Sequence, residues 1–123
     1  MILVNRLLLS FRWAIEGVLY AVAVERNLRI HLAFASAAVV LAVFLGLSLV
    51  EWAVLYLTIS FVISMEMVNT SIEHVVNILS PEQRPTAKRA KDVAAAAVLI
   101  AACGSVFVGL FLFVPKLFRL ITP

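Results

Sequence analysis

Long apolar runs alternate with short polar joints along this sequence. Leu32 to Val50 is a run of 19 residues without a charge. At 1.5 Å per residue, a helix of that length spans roughly 28 Å, about one hydrocarbon core. Glu51 and Trp52 follow as a polar and aromatic boundary, with Trp52 reading as an interface anchor. The next run, from Trp52, stays uncharged until Glu66. A helix can continue through that residue, because Glu66, Asn69, Glu73 and Asn77 fall at i, i+3, i+7 and i+11 and share one face. Val68, Ile72, Val75, Val76 and Leu79 keep the other faces apolar, so one long helix is predicted over 52–79, ended by Ser80-Pro81. Glu82 to Ala90 is a polar, basic connection containing Pro85. Val93 to Val114 is a third uncharged run, which Pro115 is expected to end. Ala94, Ala97, Ala101, Gly104 and Val108 line one side of it with mostly small residues, a stripe that lets helix backbones approach closely in lipid.

The first 24 residues follow a different pattern. On a helical wheel, Asn5, Arg6, Ser10, Arg12, Trp13, Glu16, Gly17 and Tyr20 share one arc. Leu7, Leu8, Phe11, Ala14, Ile15, Val18, Leu19 and Val22 lie opposite, with Leu9 the exception. Residues 1–24 therefore read as an amphipathic helix lying in the membrane interface. The pattern fits an ordinary membrane anchor equally well. The expected architecture is an all-α membrane protein of one domain, 1–123. It has a surface helix at 1–24 and transmembrane helices at 32–50, 52–79 and 93–114.

Composition supports this class. The chain is 64% hydrophobic and 14% charged, whereas soluble domains are nearer half apolar and a quarter charged. The basic residues flank apolar runs and form no basic face, which argues against a nucleic-acid partner. Cys103 is the only cysteine, so no intrachain disulfide can form, and one cysteine with two histidines gives no zinc spacing. Asn5, Arg6, Arg12 and Glu16 interrupt the N-terminal apolar residues, unlike a cleavable signal peptide. Eight of the ten Lys and Arg precede the first span or follow the second, and the Glu51 loop has none. The positive-inside rule then puts the N-terminus and the 82–90 loop in the cytoplasm of a cell inner (cytoplasmic) membrane protein.

The candidate chemistry follows from depth. Glu66 lies 14 residues beyond Trp52, roughly 21 Å along the helix. In a core of about 30 Å it sits about 9 Å below the cytoplasmic surface, with Glu73 at that surface. A carboxylate at mid-depth costs about 3 kcal/mol on insertion scales. A lone Glu there would read as a protonated interhelical hydrogen-bonding group. Here three more polar residues share its face, and Lys88, Lys91 and Asp92 open the third span at the same level. Glu25 adds an acid just before the first span. Hard carboxylate ligands such as Glu25 and Glu73 suit Mg²⁺ shared with nucleotide phosphates, and Lys91 could neutralise phosphate charge. The deeper Glu66 could accept a proton from a lipid hydroxyl. No Walker A or kinase Gly-rich loop is present. The rival reading is a small cation or proton transporter using the acidic face, but that predicts acids through the full membrane depth.

These residues resemble a known family, the small bacterial membrane diacylglycerol kinases and undecaprenol kinases. Glu66-Met67-Val68-Asn69-Thr70-Ser71-Ile72-Glu73-His74-Val75-Val76 resembles its signature, and Ala87-Lys88-Arg89-Ala90-Lys91-Asp92 with the following alanines resembles its second motif. Glu25-Arg26-Asn27-Leu28-Arg29-Ile30-His31 resembles the pre-span motif of the Gram-positive type. The similarity runs from about Phe11 to Pro115. It implies ATP-dependent phosphorylation of a lipid hydroxyl by a homotrimer with sites between protomers, undecaprenol being slightly favoured over diacylglycerol. It implies Glu66 as catalytic base, with Glu25 and Glu73 as Mg²⁺ ligands. Lys91 and Asp92 would contact ATP, helped by Glu82, Gln83 and Arg84, with Arg6 and Trp13 approaching from the surface helix. On the lipid side it implies Glu66 and Asn69, with Arg29, Trp52 and Ala95 lining the path. Two positions depart from the pattern. Asn77 stands where the signature usually ends in Asp, and Ala96 stands where the third-helix motif often has Gly.

Overall fold

The computed structural model describes residues 2–82 and 84–122, with side chains described from Arg6 onward. Four helices follow in order: α1 (Ile2–Val24), α2 (Arg26–Phe44), α3 (Leu49–Leu79) and α4 (Pro85–Ile121). No strand occurs among the described residues. Each helix is long and apolar enough to cross a membrane, α1 included. Large apolar side chains such as Phe34, Phe44, Ile100 and Phe111 are more than two-thirds exposed. Water would penalise such a surface, whereas lipid tails solvate it.

The joints between helices depart from the sequence reading in three places. The uncharged run 32–50 is not one helix. α2 begins earlier, at Arg26, and stops at Phe44, and Val50 already belongs to α3. The turn uses Gly46, whose φ of 61° is the left-handed conformation glycine tolerates best. Ser48 then caps α3: its hydroxyl accepts from the Glu51 N–H at 3.4 Å, and the Glu51 carboxylate accepts from the Ser48 N–H at 2.7 Å. This reciprocal capping box fixes where α3 starts.

Pro115 does not end the last helix, because α4 continues through it to Ile121. Proline removes one donor and crowds the carbonyl a turn earlier. Leu117, Phe118, Leu120 and Ile121 keep the segment beyond it apolar, and helical hydrogen bonding continues there, the Thr122 N–H donating to the Phe118 carbonyl at 3.0 Å. At its other end α4 starts on Pro85, where the missing N–H costs nothing and φ is already helical.

Between α1 and α2 lies a single extended residue, Glu25 (φ −88°, ψ 116°). The Arg29 guanidinium reaches back to donate to the carbonyls of Val22 and Ala23 at 3.2 and 2.8 Å. It thereby satisfies two of the orphan acceptors at the end of α1. Leu28, 1% exposed, is the most deeply buried large side chain of this joint.

The main packing is α3 against α4, antiparallel, with α2 on their flank and α1 more loosely attached. Two polar contacts fix the register of the pair. Lys91 Nζ donates to Asn77 Oδ1 at 3.2 Å near one end, and Lys116 Nζ pairs with Glu51 Oε2 at 3.0 Å near the other. Between them, buried Ala94, Val98 and Ala101 lie level with Glu73, Asn69 and Glu66. The small-residue face of α4 is thus the one presented to the polar face of α3, with Val98 in the stripe and Gly104 exposed outside it. An apolar cluster of Ala42, Leu47 and Leu55 closes the Glu51 end, with Trp52, Leu112 and Phe113 packed on it.

Candidate active site

Glu66, Asn69 and Thr70 are the buried polar residues of the described chain, at 3%, 9% and 6% exposure. All three lie on α3, where the helical repeat turns them toward α4. Thr70 donates its hydroxyl to the Glu66 carbonyl one turn back, at 3.0 Å, so its polarity is absorbed locally. Asn69 Nδ2 donates to Glu73 Oε1 at 3.3 Å, which ties the two residues into one line along the helix. Asn69 Oδ1 is buried and accepts nothing among the described residues. That orientation of the amide follows from its hydrogen bonding. An unpaired buried acceptor is costly, and a hydroxyl beside Glu66 would satisfy it.

Glu25, Glu73 and His31 are the ionisable groups whose charges act on Glu66. α2 brings Glu25 and His31 to the α3 face that carries Glu66 and Glu73. Among the described residues neither Glu25 nor Glu73 has an ion-pair partner; the two ion pairs present are Arg12–Glu16 and Glu51–Lys116. A divalent ion between Glu25 and Glu73 would supply the opposite charge that neither finds in an ion pair. No cluster of three or more His, Cys, Asp or Glu converges as a ready-made metal cage among the described residues. Two hard carboxylates open to further ligands fit Mg²⁺, which keeps water and phosphate oxygens in its shell.

Above this carboxylate group, toward the α3–α4 turn, lies a small polar hollow of about 180 Å³. It is lined by Val76, Asn77, Ser80, Ala87, Lys88, Lys91 and Asp92. Lys91 is half-buried there and held by Asn77, while Asp92 and Lys88 are exposed at the rim. Buried Glu66, half-buried Glu73 and Lys91 therefore follow one another along the α3–α4 seam, from the apolar interior to the polar end.

The remaining candidates divide. Glu82 and Arg84 are exposed in the turn beside the hollow, where the Arg84 N–H donates to Ser80 Oγ at 3.3 Å. Gln83 lies outside the described residues. Arg6 and Trp13 are exposed on α1, and among the described residues no hydrogen bond or ion pair joins them to α3 or α4. Arg29 is engaged with the end of α1. Trp52 sits in the apolar cluster at the far end of α3, roughly 21 Å from Glu66. Ala95 is exposed on α4, off the seam. Two residues went unnoticed in the sequence. His31 lines the same cavity as Ile63, one turn from Glu66, and His74 packs its ring on Tyr20 with centroids 5.8 Å apart, joining α1 to α3. Their only sequence signal was a histidine in each polar motif.

The molecule is a helical membrane bundle with a buried carboxylate below a lysine-lined polar hollow. The sequence pattern of prokaryotic diacylglycerol kinase matches residues 12–113, and the chain belongs to that family of lipid kinases. It is 40% identical over 113 residues to the undecaprenol kinase of Bacillus subtilis (strain 168), covering 92% of each chain. It is 44% identical over 115 residues to the diacylglycerol kinase of Synechocystis sp., covering 93% of this chain and 66% of that one. A Helicobacter pylori diacylglycerol kinase is 35% identical over 96 residues, covering 78% of this chain and 75% of its own. Family membership brings with it a lipid substrate and a nucleotide-type phosphoryl donor.

Proposed function

We propose that this protein transfers the γ-phosphoryl group of ATP to the hydroxyl of a membrane lipid at the cytoplasmic face, giving a lipid phosphate and ADP. The observation that carries the reading is the 3%-exposed Glu66, two turns below the carboxylate of Glu73, which has no ion-pair partner among the described residues, and below the Lys91 hollow. A carboxylate in that place accepts the hydroxyl proton as the oxygen attacks. Asn69 Oδ1 orients that hydroxyl, and Lys91 and Asp92 hold the donor, with Glu82, Gln83 and Arg84 near the turn. Glu25 and Glu73 would hold Mg²⁺, which neutralises charge on the phosphates when bound.

α1 lies in the membrane interface in this reading, bringing Arg6 and Trp13 to the donor, while α2, α3 and α4 cross the bilayer of the inner membrane with the N-terminus in the cytoplasm. The active unit is a homotrimer with sites completed between protomers, since one protomer leaves much of its surface to lipid and Glu25 and Glu73 short of a full ligand shell. Among acceptors, undecaprenol is favoured over diacylglycerol, supported by the Gram-positive-type motif at 25–31 and by similarity to an undecaprenol kinase over 92% of each chain. The test is incubation of purified protein with labelled ATP, Mg²⁺ and each lipid alcohol separately. Transfer of label to undecaprenol is expected. Absence of transfer to any lipid would overturn the reading and favour ion transport along the acidic face.

A further inference from the structure

The two acids proposed to hold Mg²⁺ sit on different elements, and a short path joins them. Glu73 lies on α3, and Glu25 is the extended residue between α1 and α2. Next to Glu73 in the chain is His74, whose ring packs on Tyr20 of α1 with centroids 5.8 Å apart and planes tilted by 51°. Next to Tyr20 is Ala21, whose carbonyl accepts the Glu25 N–H at 2.8 Å. From Glu73 to Glu25 the path therefore runs through a peptide bond, a ring contact, a second peptide bond and a hydrogen bond. The ring contact is its only side-chain link.

This stretch is also where α1 meets the rest of the chain. Residues Arg6 to Tyr20 are all exposed, and Ala21, at 4%, is the first buried one. Arg29 holds the last carbonyls of α1, but it belongs to α2 and ties the joint only to itself. Among the described residues no hydrogen bond or ion pair joins α1 or Glu25 to α3. His74 Nε2 is enclosed and has no hydrogen-bond partner among them, so packing on Tyr20 is what seats this imidazole. We propose that Tyr20 and His74 are a positioning pair, which sets Glu25 against Glu73 for one shared divalent cation. Mg²⁺ demands near-ideal octahedral placement of its ligands. If its two acids are aligned only part of the time, its apparent affinity falls by that fraction. A tilted aromatic pair is worth roughly two- to tenfold in such a population. The inference rests on the reading of Glu25 and Glu73 as metal ligands and deepens it, by naming what aligns them.

Tyr20 is the place to test it, because at 53% exposure its replacement opens no cavity in the core. Tyr20→Leu removes the ring and keeps bulk, and Tyr20→Phe keeps the ring. Binding of Mn²⁺ alone to the purified full-length protein, read by electron paramagnetic resonance, should weaken about two- to tenfold in Tyr20→Leu and hold in Tyr20→Phe. The Mg²⁺ concentration giving half-maximal rate should rise by the same factor in Tyr20→Leu. Its rate at saturating Mg²⁺ and its KM for lipid should stay at the wild-type values. Unchanged Mn²⁺ binding in Tyr20→Leu, with only a lower thermal midpoint, would overturn the proposal and leave the contact as packing of α1. Equal weakening in Tyr20→Phe would also overturn it, by assigning the effect to the hydroxyl. Mn²⁺ binding that survives both Glu25→Gln and Glu73→Gln in otherwise wild-type protein would instead fail the ligand reading, a separate outcome.

Discussion

Lys91 Nζ donates to Asn77 Oδ1 across 3.2 Å, and this contact places the one half-buried lysine of the α3–α4 turn region. An amide oxygen orients an ammonium and leaves its full charge available, whereas the Asp usual in the family signature would pair with it. At Asn77 the lysine therefore has a neutral partner in place of a charged one.

Two variants separate charge from position. Lys91→Met should raise the KM for MgATP by roughly 10- to 150-fold, the worth of a hydrogen bond to a charged group. Asn77→Leu keeps the charge and loses the tether, so its effect should be about two- to fivefold. Steady-state kinetics with varied MgATP decide the matter. Equal effects would show that Asn77, and not the ammonium, makes the contact.

Glu66→Gln keeps shape and most hydrogen bonding but removes the base. Turnover should fall by about 10²- to 10⁴-fold with little change in nucleotide binding. If Glu66 served only as a neutral interhelical hydrogen-bonding group, the amide would substitute for it and the rate would survive.

For Glu73→Gln the expected signature is a higher Mg²⁺ requirement together with slower turnover, because one hard ligand becomes a weaker neutral one. Titrating Mg²⁺ at saturating lipid reads this directly. An unaltered Mg²⁺ curve and rate would remove Glu73 from the metal site.

Ser48→Ala should leave both KM values and the rate intact while lowering stability by about 1 kcal/mol, the usual worth of an N-cap. The thermal midpoint in detergent measures it. A change in rate would mean that the far end of α3 communicates with Glu66.

Assembly can be tested by cross-linking in native membranes. The expected species is a trimer. A fully active monomer would contradict the proposal that sites are completed between protomers.

What could be read from the sequence was whatever one helix encodes by itself. Glu66, Asn69 and Glu73 share a face by spacing alone, and the structure buries or half-buries all three. The turn at Gly46 escaped notice because no charge marks it. Ser48-Leu49-Val50-Glu51 carried the capping-box signal, hidden inside an apolar run. Pro115 misled because one lost donor and a crowded carbonyl do not stop α4, which runs on to Ile121. Relations between helices were not legible. The levels of Ala94, Val98 and Ala101 against α3, the use of Arg29 on the end of α1, and the Tyr20–His74 contact depend on register that no single helix reveals.

The two polar contacts at opposite ends of α3 and α4 also have a mechanical meaning. Advancing α4 by one turn, about 5.4 Å, would pull Lys91 from Asn77 and Lys116 from Glu51 together. Sliding is thereby opposed at both ends, and Glu66 rides on a strut of fixed length. The α1–α2 joint is held differently, by Arg29 on the end of α1 and by the Tyr20–His74 contact, with Glu25 the single extended residue between the two helices.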